Sequence, residues 1–279
     1  MKKNFYRLFV CLLALVLLSS GGYLLWKNAD YQRGAEDYAQ AAEEAEVPPL
    51  DPVPLPAPDE PAPQDPNPGL LENVDLDNLR AVNEDVLGWI VIPDTLLSYP
   101  IVQCGDNQYY LNRTWQGKRS SVGAIFMECQ CSPDFSDFNT IIYGHRMNNE
   151  SMFGTLRSYE NIDFWREHPS VYVVTDDSIR VYDICSAFEV GIQEIVYRLD
   201  IEESALQQEL IDFSLEHSVI DTGVVPTPDG QMLTLSTCTG HGHSSRWVVQ
   251  AVLRKEAKNT SAAKMARTFS ISPEIQATI

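Results

Sequence analysis

Basic residues are scarce in this sequence of 279 residues, which has 20 Lys and Arg against 39 Asp and Glu and a formal net charge of -19. No run of Lys or Arg is present that would form a phosphate-binding surface, so the composition excludes a nucleic-acid partner. We interpret the excess of acidic residues as a soluble protein surface whose charges repel one another. Binding of a basic partner is the alternative.

Cysteine is sparse as well, and the six thiols show no repeated spacing. Cys11 lies in an apolar run near the N-terminus, and Cys129 and Cys131 are too close together to pair comfortably, so we predict no disulfide framework. A packed core does not require one, because 44% of the residues are apolar. The sequence also lacks an internal repeat and a His-Glu-x-x-His motif.

A long apolar run, from Leu8 to Trp26, follows Lys2, Lys3 and Arg7. About 19 residues at a rise of 1.5 Å cross roughly 30 Å of hydrocarbon. The small residues 19–22 leave a cleavable signal peptide as an alternative, but the apolar run resumes after them, and we favour an uncleaved anchor. The basic residues before the span predict a single-pass protein of the cell membrane, with a cytoplasmic N-terminus and an extracellular globular domain.

Composition divides the remainder of the chain. Residues 27–46 are rich in Ala and Glu without proline, which suits a solvated helix, and the next 22 residues hold ten of the 17 prolines, typical of a polyproline spacer. The predicted divisions are a cytoplasmic tip and membrane anchor over 1–26, an extracellular stalk over 27–68, a globular domain over 69–255 and a loosely ordered tail over 256–279.

The central part of the chain contains eight short runs that are rich in β-branched and aromatic residues and bounded by Gly, Pro, Asn or Asp. They predict a mainly β fold with helices, either a closed barrel or a sandwich. Residues 201–220 predict one amphipathic helix, with Leu206, Leu210, Phe213 and Leu215 facing inward. The eight runs are WIVIP, SYPIVQ, GAIFME, NTIIYG, SVYVVT, RVYDICSAFEV, MLTLST and RWVVQAVL.

The segment TLSTCTGHGHSSRW concentrates groups that are capable of chemistry. Cys238, His241 and His243 offer three ligands of the kind that bind zinc. The segment is loop-like and glycine-rich, and no second ligand cluster occurs, so we predict no metal. A non-catalytic zinc-binding surface module built on these three residues remains the alternative from another class of protein.

Cys238 is also a candidate nucleophile, because it ends a predicted strand. A nucleophilic cysteine needs a proton donor that is near it in the fold. His145 also lies at the end of a predicted strand, directly after NTIIYG, and Gly144 allows a close approach there. Arg246 begins the next strand, so a hairpin would return its guanidinium towards Cys238, where it could hold a substrate carbonyl or a developing oxyanion.

Two segments, YGHRMNNESMFGTL and TLSTCTGHGHSSRWVVQAVL, together resemble the sortases, which are Gram-positive cell-surface cysteine transpeptidases, and among them class B. NEDVLGWIVIPDTLLSYPIVQCGDNQYYL and GAIFME are similar to the N-terminal half of class B members. The resemblance implies an eight-stranded sortase β-barrel with an N-terminal helical extension, here preceded by a single transmembrane helix and a Pro-rich linker.

The resemblance also implies a site and a reaction. His145, Cys238 and Arg246 would be the catalytic triad, and Ser236 would contact the substrate, without a cofactor. The enzyme would cleave the C-terminal sorting signal of a surface protein after Thr through a thioester, and pass the protein to an amine of peptidoglycan or a pilin. A thiol protease that uses water as acceptor remains the alternative. In some class B members the loop between the cysteine and the arginine is longer and begins with an acidic residue. This chain has Thr239–Ser245 there, without a carboxylate, so the resemblance assigns no role to a loop carboxylate.

Overall fold

Eight strands close into one barrel in the computed structural model of the protein, which describes residues 2–55, 64–239 and 244–259. Each of the eight predicted runs contributes one strand. Because the sheet closes on itself, the fold is the barrel and not the sandwich. The strands are β1 Val86–Val91, β2 Ser98–Val102, β3 Ile125–Met127, β4 Asn139–Tyr143, β5 Ser170–Val174, β6 Ser178–Gly191, β7 Met232–Cys238 and β8 Ser245–Lys258.

The strands run around the barrel in the order β1-β2-β3-β4-β7-β8-β6-β5, and β5 pairs with β1 to close it. Two neighbouring pairs are parallel, β2 with β3 and β4 with β7, and the other pairs are antiparallel. Parallel strands end at the same edge of a sheet. The β4–β7 pair therefore brings together two chain segments that are far apart in the sequence.

Helices cover parts of the barrel, which explains why several strands are continuous apolar runs that do not alternate with polar residues. All five residues of β5 are buried, for example. The helices are α1 Lys2–Glu44, α2 Asn67–Leu71, α3 Asp77–Val82, α4 Ile162–Glu167 and α5 Ser204–His217.

The predicted amphipathic helix is α5, and it packs against the outer face of the barrel. Leu210 and Ile211 are fully buried there, in one apolar cluster with Phe188 of β6 and Val248 of β8. Leu206, Phe213 and Leu215 are partly buried against the same cluster, as their spacing predicts. Ile211 and Ser214 also face inward, so the buried face is wider than predicted.

A chain of buried polar side chains joins the strands that lead to the predicted site. Thr234 on β7 donates from its hydroxyl to Asn139 on β4 over 2.7 Å, and accepts from the Gln250 amide on β8 over 2.9 Å. Ser186 on β6 donates to the Gln250 carbonyl oxygen over 3.2 Å. Because each of these groups is buried and paired, the network favours one register of the four strands.

The segment from residue 27 to 46 differs from the prediction of a solvated helix. It is helical, since α1 runs to Glu44, but one face packs against the barrel. Tyr38, Ala41 and Ala45 are buried in the main core, and Asp30 is buried as well. Alanine carries too little apolar surface to reveal a buried face by periodicity, which is why the sequence suggested solvation.

The described ends of the Pro-rich segment also lie on the barrel, where the sequence predicted a spacer. Leu50 and Val53 are buried. Asp65 accepts from the Tyr172 hydroxyl over 3.0 Å and forms an ion pair with Arg254 over 3.1 Å. At the other end of the barrel domain, β8 continues to Lys258, past the predicted start of the tail, and residues 260–279 of that tail lie outside the described residues.

We expect Thr234→Val to destabilise the protein by about 1–3 kcal/mol, because it leaves the buried Asn139 carbonyl oxygen and the Gln250 amide without a partner. The measurement is the free energy of unfolding in urea. Thr227→Val is the matched control at an exposed position and should change stability little. Equal stabilities for the two variants would contradict a structural role for the network.

Candidate active site

The parallel register of β4 and β7 brings the predicted histidine and cysteine together. Tyr143 on β4 pairs with Ser236 on β7, and His145 and Cys238 each follow that pair by two residues. The pairing continues past the end of β4, where the Gly144 amide donates to the Ser236 carbonyl over 3.2 Å. Both side chains therefore leave the barrel at the same edge.

Gly144 permits the close approach that the sequence predicts for it. A Cβ atom at this position would lie 2.7 Å from Cγ of Phe153 and 2.5 Å from Cδ1 of Ile125. The Thr237 hydroxyl donates to the Gly144 carbonyl over 2.7 Å, which fixes the peptide immediately before His145. Any larger residue at 144 would displace the backbone that carries the imidazole.

The imidazole of His145 is held between the Cys238 thiol and a backbone carbonyl. It lines the same cleft as Cys238, and its Nε2 lies 2.5 Å from the Leu111 carbonyl oxygen. A carbonyl oxygen only accepts, so Nε2 must carry a proton. Both contacts raise the pKa of His145, the bond with Cys238 most, while burial acts in the opposite direction.

The Cys238 thiol is half-buried and has a lowered pKa. The hydrogen bond with His145 is the largest cause, burial opposes it, and the positive charges of Arg246, His145 and Arg146 lower the pKa further. Both pKa shifts act in the direction of a thiolate beside an imidazolium, and the thiolate is the nucleophilic form of cysteine.

Arg246 lies directly opposite Cys238 in the antiparallel pairing of β7 with β8. The predicted hairpin is therefore present, with Ser245 already part of β8. One guanidinium nitrogen, Nη1, donates to the Ser245 carbonyl over 2.9 Å. Arg146 crosses the same edge and donates from Nη1 to the Thr239 carbonyl over 2.5 Å, so a second cation fixes the residue that follows Cys238.

Ser236 is the predicted substrate contact, and its side chain is almost completely buried. Its hydroxyl is hydrogen-bonded with the Tyr197 hydroxyl over 2.8 Å. It nevertheless lines the same cleft of about 220 Å³ as the three predicted catalytic residues. The remaining lining residues are Asn107, Leu111, Phe126, Tyr143, Gly144 and Thr237.

Glu128 is a charged residue below this cleft that the sequence did not single out. Its buried carboxylate accepts from Asn107 Nδ2 over 2.7 Å and 2.6 Å, and from the Tyr143 hydroxyl over 3.0 Å. Asn107 Oδ1 in turn accepts from the Cys129 amide over 2.8 Å. A glutamate directly after the buried strand IFM could have suggested a buried carboxylate. Its hydrogen-bond partners are distant in the sequence, so spacing does not reveal them.

The zinc alternative rests partly on residues that the structure does not describe, because His241 and His243 fall in the gap at 240–243. Within the described ranges, no group of three or more His, Cys, Asp or Glu side chains is arranged to hold a metal ion. All six cysteines are free thiols.

A closed mixed barrel that presents a cysteine, a histidine and an arginine at one edge defines a cysteine enzyme of the acyl-transfer kind. Comparison with known proteins gives the family. Residues 90–254 match the sortase domain family. Sortase B of Listeria monocytogenes is 32% identical over 164 residues, which are 59% of this chain and 67% of that protein.

Two solved structures show the same likeness. The Staphylococcus aureus sortase B–substrate complex is 29% identical with a TM-score of 0.61, covering 64% of this chain and 84% of that one. Sortase B of Bacillus anthracis is 28% identical with a TM-score of 0.66, covering 81% and 98%. The chain thus belongs to the sortase family, within class B, and is a cysteine transpeptidase of surface-protein sorting.

We expect alkylation of Cys238 to titrate below the ordinary thiol pKa of 9.0, because His145 and two arginines favour its thiolate. The measurement is the rate of iodoacetamide labelling against pH, with peptides quantified by mass spectrometry. Cys129 serves as an internal control, since its pKa is raised by burial and by Glu128. A Cys238 midpoint at or above that of Cys129 would show that the thiolate is not favoured.

We expect Glu128→Gln to lower kcat/KM by about tenfold, because an amide cannot accept in place of both carboxylate oxygens, and the Asn107 and Tyr143 side chains lose their fixed orientation. The assay is cleavage of a sorting-signal peptide, with kcat and KM measured separately. Glu202→Gln, at an exposed position, is the matched control. If both variants behaved like the unmodified chain, Glu128 would have no part in shaping the cleft.

Proposed function

We propose that the protein cleaves the C-terminal sorting signal of a surface protein after Thr, with His145, Cys238 and Arg246 as its catalytic residues. The observation that carries the proposal is that Cys238 and His145 line one cleft, with Arg246 opposite Cys238 across the β7–β8 pairing. The S. aureus sortase B solved as a substrate complex supports a substrate of the same kind for this chain.

In the first step, the Cys238 thiolate attacks the backbone carbonyl carbon of the sorting-signal Thr, and a carbon–sulfur bond forms. Negative charge moves to the carbonyl oxygen, where the Arg246 guanidinium stabilises it. The tetrahedral species collapses, the carbon–nitrogen bond breaks, and the leaving amine takes a proton from the His145 imidazolium. The product is a thioester between the surface protein and Cys238.

In the second step, an amine attacks the thioester carbonyl and loses a proton to His145, and Cys238 leaves as the thiolate. A new amide bond forms and the enzyme returns to its starting charge state. Sortase B has been solved in complex with triglycine, which supports an acceptor with a free amine. We propose an amine of a peptidoglycan precursor or of a pilin. Water in place of the amine would give hydrolysis, the reaction of a thiol protease.

We further propose that α1 anchors the enzyme in the cell membrane, with the N-terminus in the cytoplasm and the barrel outside. By length and composition, the helix from Phe5 to Glu44 could cross a membrane. Lys2, Lys3 and Arg7 precede the apolar stretch, which supports this orientation. Tyr38 lies twelve positions after Trp26 in α1, a rise of about 18 Å at 1.5 Å per residue, so the barrel would begin close to the membrane surface.

We expect Cys238→Ala to reduce cleavage of a sorting-signal peptide by about 10³-fold or more, because the nucleophile is lost. Cys11→Ala removes a thiol far from the cleft and should leave the rate unchanged. Adding triglycine to the unmodified enzyme should yield a ligated product. Undiminished cleavage by Cys238→Ala would refute the nucleophile assignment, and hydrolysis without ligation would favour the protease.

A further inference from the structure

The chain segment between β2 and β3 forms the surface against which the His145 ring rests. The Leu111 carbonyl oxygen contacts Nε2, and Gly123 lies against the ring. Gly123 has a positive φ of 68°, and a Cβ atom there would lie 2.6 Å from Cδ2 of His145. The Ala124 amide donates to the Tyr110 carbonyl over 3.0 Å, which holds the two ends of this surface together.

The same segment is held from outside the barrel by α1. The buried Tyr38 hydroxyl donates to the Gly123 carbonyl over 2.6 Å. Two turns earlier in the helix, the buried Asp30 carboxylate accepts from both the amide and the hydroxyl of Ser121, over 2.8 Å and 2.6 Å. Gly123 is therefore fixed on one side by the helix and contacts the imidazole on its other side.

Two more contacts extend this attachment along the helix. The Trp115 indole donates to the Asp37 carbonyl over 3.2 Å, and the Lys118 ammonium forms an ion pair with the Asp37 carboxylate over 3.3 Å. Trp115 is completely buried. From residue 115 to residue 123, the support of the imidazole is thus attached to α1 at several successive points.

We propose that α1 is a positioning element of the active site, and that Tyr38 is its positioning residue for His145. The Tyr38 hydroxyl holds the Gly123 peptide against the imidazole, so that the ring stays beside Cys238 in the cleft. Without the hydroxyl, the Gly123 carbonyl loses its buried donor and the ring gains freedom to move away from Cys238. This inference rests on the proposed role of His145, and it adds a function for a helix that the sequence assigned to a stalk.

The test is Tyr38→Phe in the full chain in detergent micelles. We expect kcat for peptide cleavage to fall about three- to tenfold, the size of one lost buried hydrogen bond, with KM within about twofold. We also expect the pH midpoint of Cys238 alkylation to rise, since the hydrogen-bonding interaction with His145 is the largest cause of the lowered pKa of Cys238. The charged groups that face Cys238, namely His145, Arg246 and Arg146, are unchanged in this variant.

Tyr31→Phe is the matched control, because it removes a hydroxyl from the same helix, where Tyr31 contacts Lys27. It should leave kcat and the alkylation midpoint unchanged. If Tyr38→Phe lowered the melting temperature but left kcat and the midpoint at their original values, Tyr38 would be merely structural and the inference would be overturned.

The alkylation experiment also separates this inference from the proposed function. An unmodified chain that cleaved no sorting-signal peptide would refute the proposed function, yet a raised midpoint in Tyr38→Phe alone would still support the positioning of His145. Equal midpoints in the unmodified chain and both variants would overturn the inference, whatever the activity. Circular dichroism of the variants checks that each remains folded.

Discussion

The candidate active site depends on one backbone constraint, the parallel pairing of β4 with β7. Tyr143 is opposite Ser236, and this register carries His145 and Cys238 to the same edge although 93 residues separate them. A shift of one residue would turn one of the two side chains to the other face of the sheet. The buried hydrogen bonds of Thr234 connect β4, β7 and β8 below this edge, so the core fixes the register that the chemistry needs.

The charges at this edge differ in sign from the acidic exterior of the chain. His145, Arg246 and Arg146 all lower the pKa of Cys238, so the thiol lies in a local positive field within a protein of net charge -19. Such a field favours a thiolate and also the oxyanion that forms when it attacks a carbonyl. Below the cleft, the buried carboxylate of Glu128 accepts hydrogen bonds from Asn107 and Tyr143.

The sequence predicted the eight strands, because each is a β-branched run bounded by turn residues, and it predicted the Cys238–Arg246 hairpin, because short connections join antiparallel neighbours. Closure of the barrel and the pairing of His145 with Cys238 needed the family resemblance, since parallel pairing leaves no local signal. The contacts of Glu128 with Asn107 and of Tyr38 with Gly123 join residues distant in sequence, and no spacing rule reveals them. The Ala-rich helix was predicted to be solvated because alanine gives a weak pattern on either face.

The proposed reaction depends on a thioester between Cys238 and the part of the peptide that ends at its sorting-signal threonine. The most direct test offers the full chain a small library of five-residue sorting peptides, quenches it with acid and measures the mass of the Cys238 peptide. We expect a mass increase equal to the part of one peptide that ends at Thr, and loss of that adduct when an amine is added before quenching. An unmodified Cys238 peptide while the library is being cleaved, or an adduct on another cysteine, would contradict it.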